Sequence, residues 1–278
     1  MKAFVSGGAG VIGRELVSRL VSQGVQVIVG DLQPRPQELG EGVEYLHGDL
    51  NDLKVWPECD VFYHLAATFE RLEESPEHWE KNFRHNVQLS HHLLTLCKAP
   101  RVVFASSYLI YGKHRRDGTR ENAPRNLTGA AKFYTECEMA ALHPNSVSAR
   151  IYRSYGKGSR DVISRWCRAT LNRETVPLYN VETQLDFVYA GDVAKALVML
   201  AASKARGHVE VGTGEYSCIA YLAQLIGCKT VDADIPAPFE SSAADVEKLR
   251  KLIGWVPDTT VAKGVEQVMA YERGRCVP

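Results

Sequence analysis

The residues with the plainest chemical meaning lie within the first thirty-one positions. Gly8-Ala9-Gly10-Val11-Ile12-Gly13 fits G-x-G-x-x-G, and with Gly7 it also fits G-x-x-G-x-x-G. A strand that turns sharply into a helix brings that helix's N-terminal amides against a pyrophosphate, and a Cβ on the turn would block the approach. The pattern follows the short apolar run Lys2 to Ser6 and opens an amphipathic stretch. Val27-Ile28-Val29-Gly30-Asp31 comes next, placing an acid eighteen positions beyond Gly13. A carboxylate there accepts both ribose hydroxyls of an adenosine and repels a 2′-phosphate, which favours NAD over NADP. Arg35 nearby leaves NADP open.

Composition narrows the setting. The chain has 278 residues, 45% hydrophobic and 24% charged, with 33 basic and 33 acidic side chains and a formal net charge of zero. That is globular composition, long enough for a sizeable core and for one large α/β unit or a domain and a half. A neutral chain has no global field to gather nucleic acid or anionic lipid, so neither is expected as a partner. No apolar run approaches the ~20 residues that cross a bilayer. Met1 to Ser6 runs straight into the glycines without the regions of a secretory signal, and the seven cysteines are scattered with no Cys-x-x-Cys. Both point to a cytoplasmic protein with free thiols and no structural metal. His78, His85 and His92 recur every seven residues on one expected helix. Two turns separate neighbours by ~10.5 Å against zinc–nitrogen bonds of ~2.1 Å, so one ion cannot bridge them.

The elements that position the glycine loop follow from periodicity. Strands are expected at Lys2 to Ser6, Gln26 to Gly30, Glu44 to His47, Val61 to Leu65, Arg101 to Ser106 and Val147 to Ile151. Helices are expected at Val11 to Gln23, Pro76 to Cys97 and Gly129 to Leu142. This β-α-β rhythm, with right-handed crossovers, predicts a Rossmann-like doubly wound parallel sheet. Past Tyr152 the rhythm loosens, with helices at Ser159 to Asn172 and Val193 to Ala202 and strands at Leu185 to Val188 and His208 to Val211. Helical patterns at Cys218 to Ile226, Asp245 to Leu252 and Val261 to Arg273 follow, with a Pro-rich segment at Asp234 to Phe239 between the first two. The expected division is a dinucleotide domain of residues 1–152 plus 186–213 and a small C-terminal substrate lobe of 153–185 plus 214–278.

Further segments then line up in order. They are His47-Gly48-Asp49-Leu50, His64-Leu65-Ala66-Ala67, Asn86-Val87, Ser106-Ser107-Tyr108-Leu109-Ile110-Tyr111-Gly112, Lys132 with Glu136, Arg150 to Gly156, Asp186-Phe187-Val188-Tyr189 with Asp192, and Val211-Gly212-Thr213-Gly214. On these the chain resembles, over nearly its whole length, the extended short-chain dehydrogenase/reductase family in its NAD-dependent nucleotide-sugar epimerase/dehydratase branch. The resemblance implies an NAD site at Gly7, Gly10, Val11, Ile12 and Gly13, with Asp31 on the ribose. Asp49 and Leu50 would contact adenine, and Leu65, Ala66 and Ala67 would line the cofactor channel, with Asn86 and Lys132 completing the set. It further implies a nucleotide sugar held in the second lobe, and a homodimer through a four-helix bundle with Trp79, Phe83, Phe133 and Met139 as apolar contacts.

The same resemblance expects a Ser or Thr, a Tyr and a Lys as the working group. Ser107 and Lys132 match, but four residues before Lys132 stands Thr128. A phenol with pKa ~10 can be brought towards neutrality and take a sugar hydroxyl proton, which a threonine hydroxyl cannot. Three local replacements are open: Tyr108, which heads the set, Tyr111, and Lys132 itself if desolvated. Tyr108-Leu109 also stands where sugar 4,6-dehydratases carry Asp-Glu, which disfavours that reaction. Leu185 replaces an arginine that relatives use on the diphosphate, and Arg153 is the leading substitute. Lys113 to Arg120 forms a basic run that reads as a lid or, more commonly, a solvated hairpin tip. The expected activity is transient oxidation of a substrate hydroxyl. The alternative is a catalytically silent NAD-binding sensor or scaffold of the same fold.

Overall fold

The computed structural model describes residues 1–68, 76–112, 120–233 and 240–275. Most of the basic run at 113–120 and the Pro-rich segment at 234–239 therefore lie outside the described residues. In the first half, β1 (Lys2–Ser6), α1 (Val11–Ser22), β2 (Gln26–Asp31), β3 (Glu44–His47) and β4 (Val61–His64) lead to α2 (Pro76–Asn82). A π-helical turn at Phe83–Gln88 joins α2 to α3 (Leu89–Leu96), so the expected single helix carries one wide turn. Then come β5 (Arg101–Ser107), α4 (Leu127–Leu142), β6 (Ser146–Ile151), β7 (Arg153–Tyr155) and α5 (Val162–Leu171). The remainder is β8 (Thr175–Leu178), β9 (Gln184–Leu185), β10 (Phe187–Tyr189), α6 (Ala190–Ala202), β11 (Gly207–Val211), β12 (Ser217–Cys218), α7 (Ile219–Ile226), β13 (Lys229–Asp232), β14 (Ser241–Ser242), α8 (Glu247–Ile253) and α9 (Val261–Arg275).

Seven strands form one parallel sheet in the order β11-β6-β5-β4-β1-β2-β3. Successive strands are added outward in one direction from β1 and in the other from β4, so the order reverses between β1 and β4, the switch point where a doubly wound sheet opens its crevice. The strand sequences explain why both faces are covered. Ala3 and Val5 of β1, Val27 and Val29 of β2, and Val103 and Ala105 of β5 pack in one cluster with Leu16, Val17 and Leu20 of α1 and Val193, Leu197 and Leu200 of α6. The alternate residues Phe4, Ile28, Val102 and Phe104 pack on the other face with Leu89, Leu93 and Leu94 of α3. Met139 joins that second cluster at 2% exposure, so it is a core residue and not the surface contact expected of it. Trp79 and Phe83 are exposed as expected.

A third cluster gathers Tyr155, Ile163, Trp166, Val176, Leu185, Phe187, Tyr189, Leu222 and Val268. Phe187 and Tyr189 point into it while Val188 between them packs on the main sheet's cluster. β10 thus seams the two, paired in parallel with β7. Strands β7, β8, β12, β13 and β14 are two to four residues long and were not expected from the pattern. Such short pieces hold too few residues for alternation to show.

Candidate active site

The cradle is assembled at the C-terminal ends of β1, β2 and β4. Gly7 takes φ +78°, and its amide donates to the Gly30 carbonyl at 2.8 Å. A Cβ there would lie 2.6 Å from the Ala66 amide nitrogen, and one on Gly13 would strike the Gly7 carbonyl. These two positions accept only glycine, because the helix has to approach the β1 and β4 ends this closely. Gly10 is the N-cap of α1, no side chain caps the helix, and no acid stands in its first turn. The free amides at that helix end are therefore left for an anion from outside the chain.

Asp31 is buried and held from both sides. Its Oδ2 accepts from the Ala9 amide and its Oδ1 from the Gln33 amide, each at 2.9 Å. Arg35, which left NADP open, donates to the carbonyls of Leu39 and Gly40 and so is engaged with its own loop. A cavity of about 250 Å³ brings together Gly7, Gly10, Asp31, Asp49, Leu50, Leu65, Ala66 and Ala67. Burial alone would push the Asp49 carboxyl up, but Arg84 and the Asn51 amides outweigh it and bring it to about 2. Thr68, Lys81 and His85 also line this cavity, and the sequence reading did not single them out for it. The i, i+4 spacing of Lys81 and His85 marks one helix face and was the available signal.

Other expected residues sit one step back. Val11, Ile12 and Gly13 do not line the cavity and form the first turn of α1, where the backbone amides head the helix. Asn86, buried in the π-helical turn, accepts from the Thr68 amide at 2.8 Å and donates to its carbonyl at 2.9 Å, so it acts by fixing the channel wall. A directed chain continues inward. Ser90 donates to the Asn86 carbonyl, so His64 must donate from Nε2 to Ser90 Oγ and accept at Nδ1 from Ser6, both at 2.8 Å. Burial, then Lys132, holds His64 down at about 3, and it stays neutral.

Ser107 ends β5 with its Oγ accepting from the Leu109 amide at 3.2 Å. The turn after it packs on the start of α4, where Arg125 N donates to the Leu109 carbonyl at 3.1 Å. Ser107 and Thr128 thus occupy adjoining turns. Thr128 is buried, and its Oγ1 accepts from Asn82 Nδ2 at 3.3 Å. Lys132 is also buried, donates from Nζ to the Ala105 carbonyl at 2.7 Å and lies 4.6 Å over the Phe104 ring. Burial draws its amine down to about 8, opposed by Glu136. Glu136 itself is bound by Ser106 Oγ at 2.5 Å and by Arg150 at 2.6 Å and 3.1 Å.

The two tyrosines are engaged elsewhere. Tyr108 stacks on Tyr152 at 5.0 Å beneath the guanidiniums of Arg125 and Arg153, and burial pushes its phenol up. Tyr111 donates to Glu210 at 2.8 Å and is pushed up to about 12 by burial and by that carboxylate. Neither phenol is activated as a base. Arg153 lies at a separate cavity of about 510 Å³ with Arg165, Trp166, Tyr179, Leu185 and Glu240, and pairs with Glu240 at 3.2 Å. Among the described residues no cluster of three or more His, Cys, Asp or Glu could hold a metal.

A switch-point crevice bearing a glycine cradle, an uncapped helix end and an acid at the end of the second strand defines a Rossmann-type dinucleotide-binding protein. Residues 3–212 match the NAD dependent epimerase/dehydratase family, and the chain belongs to it. NAD is the cofactor of that family, and the cradle fits it. Among curated proteins the chain is 26% identical to a putative UDP-glucose 4-epimerase of Methanocaldococcus jannaschii, covering 96% of this chain and 97% of that protein. Among solved structures it is similar to MoeE5 in complex with UDP-glucose and NAD, with 26% identity, TM-score 0.87 and coverage of 99% of both chains. It is likewise similar to TunA, an NAD-dependent NDP-hexosamine 5,6-dehydratase involved in tunicamycin biosynthesis, with 25% identity, TM-score 0.87 and coverage of 99% and 98%.

Proposed function

We propose that this chain acts on a nucleotide sugar by transient oxidation, in an epimerase- or dehydratase-type reaction, with Lys132 and not a tyrosine moving the proton. The observation that carries the proton assignment is the buried Lys132 amine, held by the Ala105 carbonyl two residues before Ser107. Gly7, Gly10, Asp31 and the Leu65 to Ala67 wall would hold NAD, which when bound supplies the acceptor for a sugar hydride and its return. Ser107 hydrogen-bonds the reacting oxygen. An amine drawn down to about 8 is neutral in a useful fraction near physiological pH and can accept the hydroxyl proton that a threonine cannot. Thr128 relays or orders that proton beside Asn82.

The nucleotide sugar fits the 510 Å³ cavity, where Arg153 and Arg165 meet phosphate and Trp166 and Tyr179 offer apolar faces. MoeE5 and TunA support this class of substrate. Exposed Trp79, Phe83 and Tyr134 on α2, the π-helical turn and α4 support a homodimer through that face. The free cysteines among the described residues suit a reducing, cytoplasmic compartment. The test is incubation with NAD and a panel of UDP- and dTDP-sugars, read by chromatography of the nucleotide products. Product with the parent chain and a loss of at least a hundredfold in Lys132→Met support the reading. An active Lys132→Met variant would remove Lys132 from the role.

A second reading rests on the engagement of Tyr108 and Tyr111 with Arg153 and Glu210, which leaves neither phenol activated beside Ser107. On it the chain is a catalytically silent NAD sensor or scaffold. Thr128→Tyr separates the two. If the parent shows no turnover and this variant gains it, the silent reading stands.

A further inference from the structure

The opposite edge of the sheet carries a second feature. Val102 of β5 pairs with Ser146 of β6, and Gly207 of β11 pairs with Val147. Arg101, Asn145 and Arg206 thus form a row across three adjacent strands at their N-terminal ends. Ser203 and Lys204 descend onto this row from the end of α6. Together with Ala201 these residues line a cavity of about 580 Å³. Arg101 and Ser107 are the two ends of the seven-residue β5, about 20 Å apart along extended chain. The cavity therefore lies apart from the dinucleotide crevice.

Its charge is unbalanced. Arg101 is 6% exposed, donates to the Leu200 carbonyl at 2.7 Å and to Asn145 Oδ1 at 3.1 Å, and has no partner at Nε. Both acceptors are neutral. Arg206 lines the same cavity, and its charge adds to burial in opposing the charge of Arg101. Among the described residues neither Lys204 nor Arg206 has an ion pair, and both are exposed. The C-terminal end of α6 offers about half a negative charge against three cations. Guanidiniums that share a cavity lined by no carboxylate are stabilised by an oxyanion within it, and the planar fork of arginine matches phosphate geometry.

We propose that Arg101, Lys204 and Arg206 form a second, non-catalytic anion site for the phosphate or diphosphate group of a small molecule. Three cations on a chain of zero net charge suit a discrete phosphate and not a polyanion. The proposal does not depend on which proton donor the crevice uses.

The experiment saturates the full chain with NAD, so that the dinucleotide cradle is filled, and titrates inorganic phosphate and pyrophosphate against chloride at matched ionic strength. Calorimetry is expected to show an anion-binding component that persists in Arg153→Gln, and so lies outside the substrate cavity, and the thermal midpoint is expected to rise. Lys204→Gln and Arg206→Gln, both at exposed positions, should each weaken that site about tenfold or more while leaving NADH affinity unchanged. Arg206→Lys should restore part of the loss. An NAD-saturated parent that does not respond to either anion would overturn the site, as would equal affinity in parent and glutamine variants.

Discussion

Lys132 Nζ donates to the carbonyl oxygen of Ala105 at 2.7 Å, so a buried ammonium on α4 is tied to the backbone of the strand that carries Ser107. The bond fixes where the charge sits, and the burial that accompanies it lowers the proton affinity of the amine. The same two facts bear on stability as well as on chemistry.

In the folded chain Lys132 titrates at about 8, below its ordinary 10.5. Between those values the unfolded chain binds the extra proton, so stability rises with pH across this window. The slope is at most about 1.4 kcal/mol per pH unit. Denaturant titrations from about pH 8 to about pH 10, inside that window, should show the rise in the parent and its loss in Lys132→Met. A parallel rise in both would place the titration elsewhere.

Gly7→Ala forces a side chain onto a residue at φ +78° and against the Ala66 backbone. Affinity for NADH, followed by its fluorescence, is expected to fall by about a hundredfold or more as the cradle opens. Gly24→Ala, where nothing lies within 4 Å of the new carbon but φ is +75°, serves as the backbone-strain control and should leave NADH affinity unchanged.

Asp31 is oriented by the Ala9 and Gln33 amides so that its carboxylate meets the cavity. Asp31→Ser should weaken NAD about tenfold or more and narrow the margin over NADP, since the repulsion of a 2′-phosphate goes with the charge. An unchanged NAD to NADP ratio would show that Asp31 does not read the ribose.

Glu136 and Arg150 form a buried pair, 9% and 2% exposed at the side chain. Glu136→Gln leaves the guanidinium without its counter-charge and should destabilise the chain by about 3–5 kcal/mol, read from the denaturant midpoint. The glutamine keeps one acceptor oxygen, so its amide N–H must face either Ser106 or Arg150, both of which donate to Glu136. A shift below about 1 kcal/mol would mean that Asn122, which also binds Arg150, suffices.

The main sheet was legible because its strands alternate: Phe4, Ile28 and Phe104 face one helix layer while Ala3, Val27 and Val103 face the other. The cradle was legible because only glycine fits at Gly7 and Gly13. Tertiary contacts decided what was not. Tyr108 follows Ser107 in sequence, yet the turn after β5 aims its ring at Tyr152 and the arginines, which no local pattern encodes. Met139 sits at a helical position that reads equally as core or surface. The grip of Asn86 on the Thr68 backbone in the cavity wall joins residues eighteen positions apart, which no local pattern encodes.

The most direct test mixes NAD-loaded protein with the nucleotide sugar it converts and follows the reduced-nicotinamide absorbance within a single turnover. The account predicts a transient that rises faster as pH passes about 8, where Lys132 loses its proton, and decays as hydride is returned. A protein that takes up no NAD, or a transient whose rate is indifferent to pH and to Lys132→Met, would contradict it.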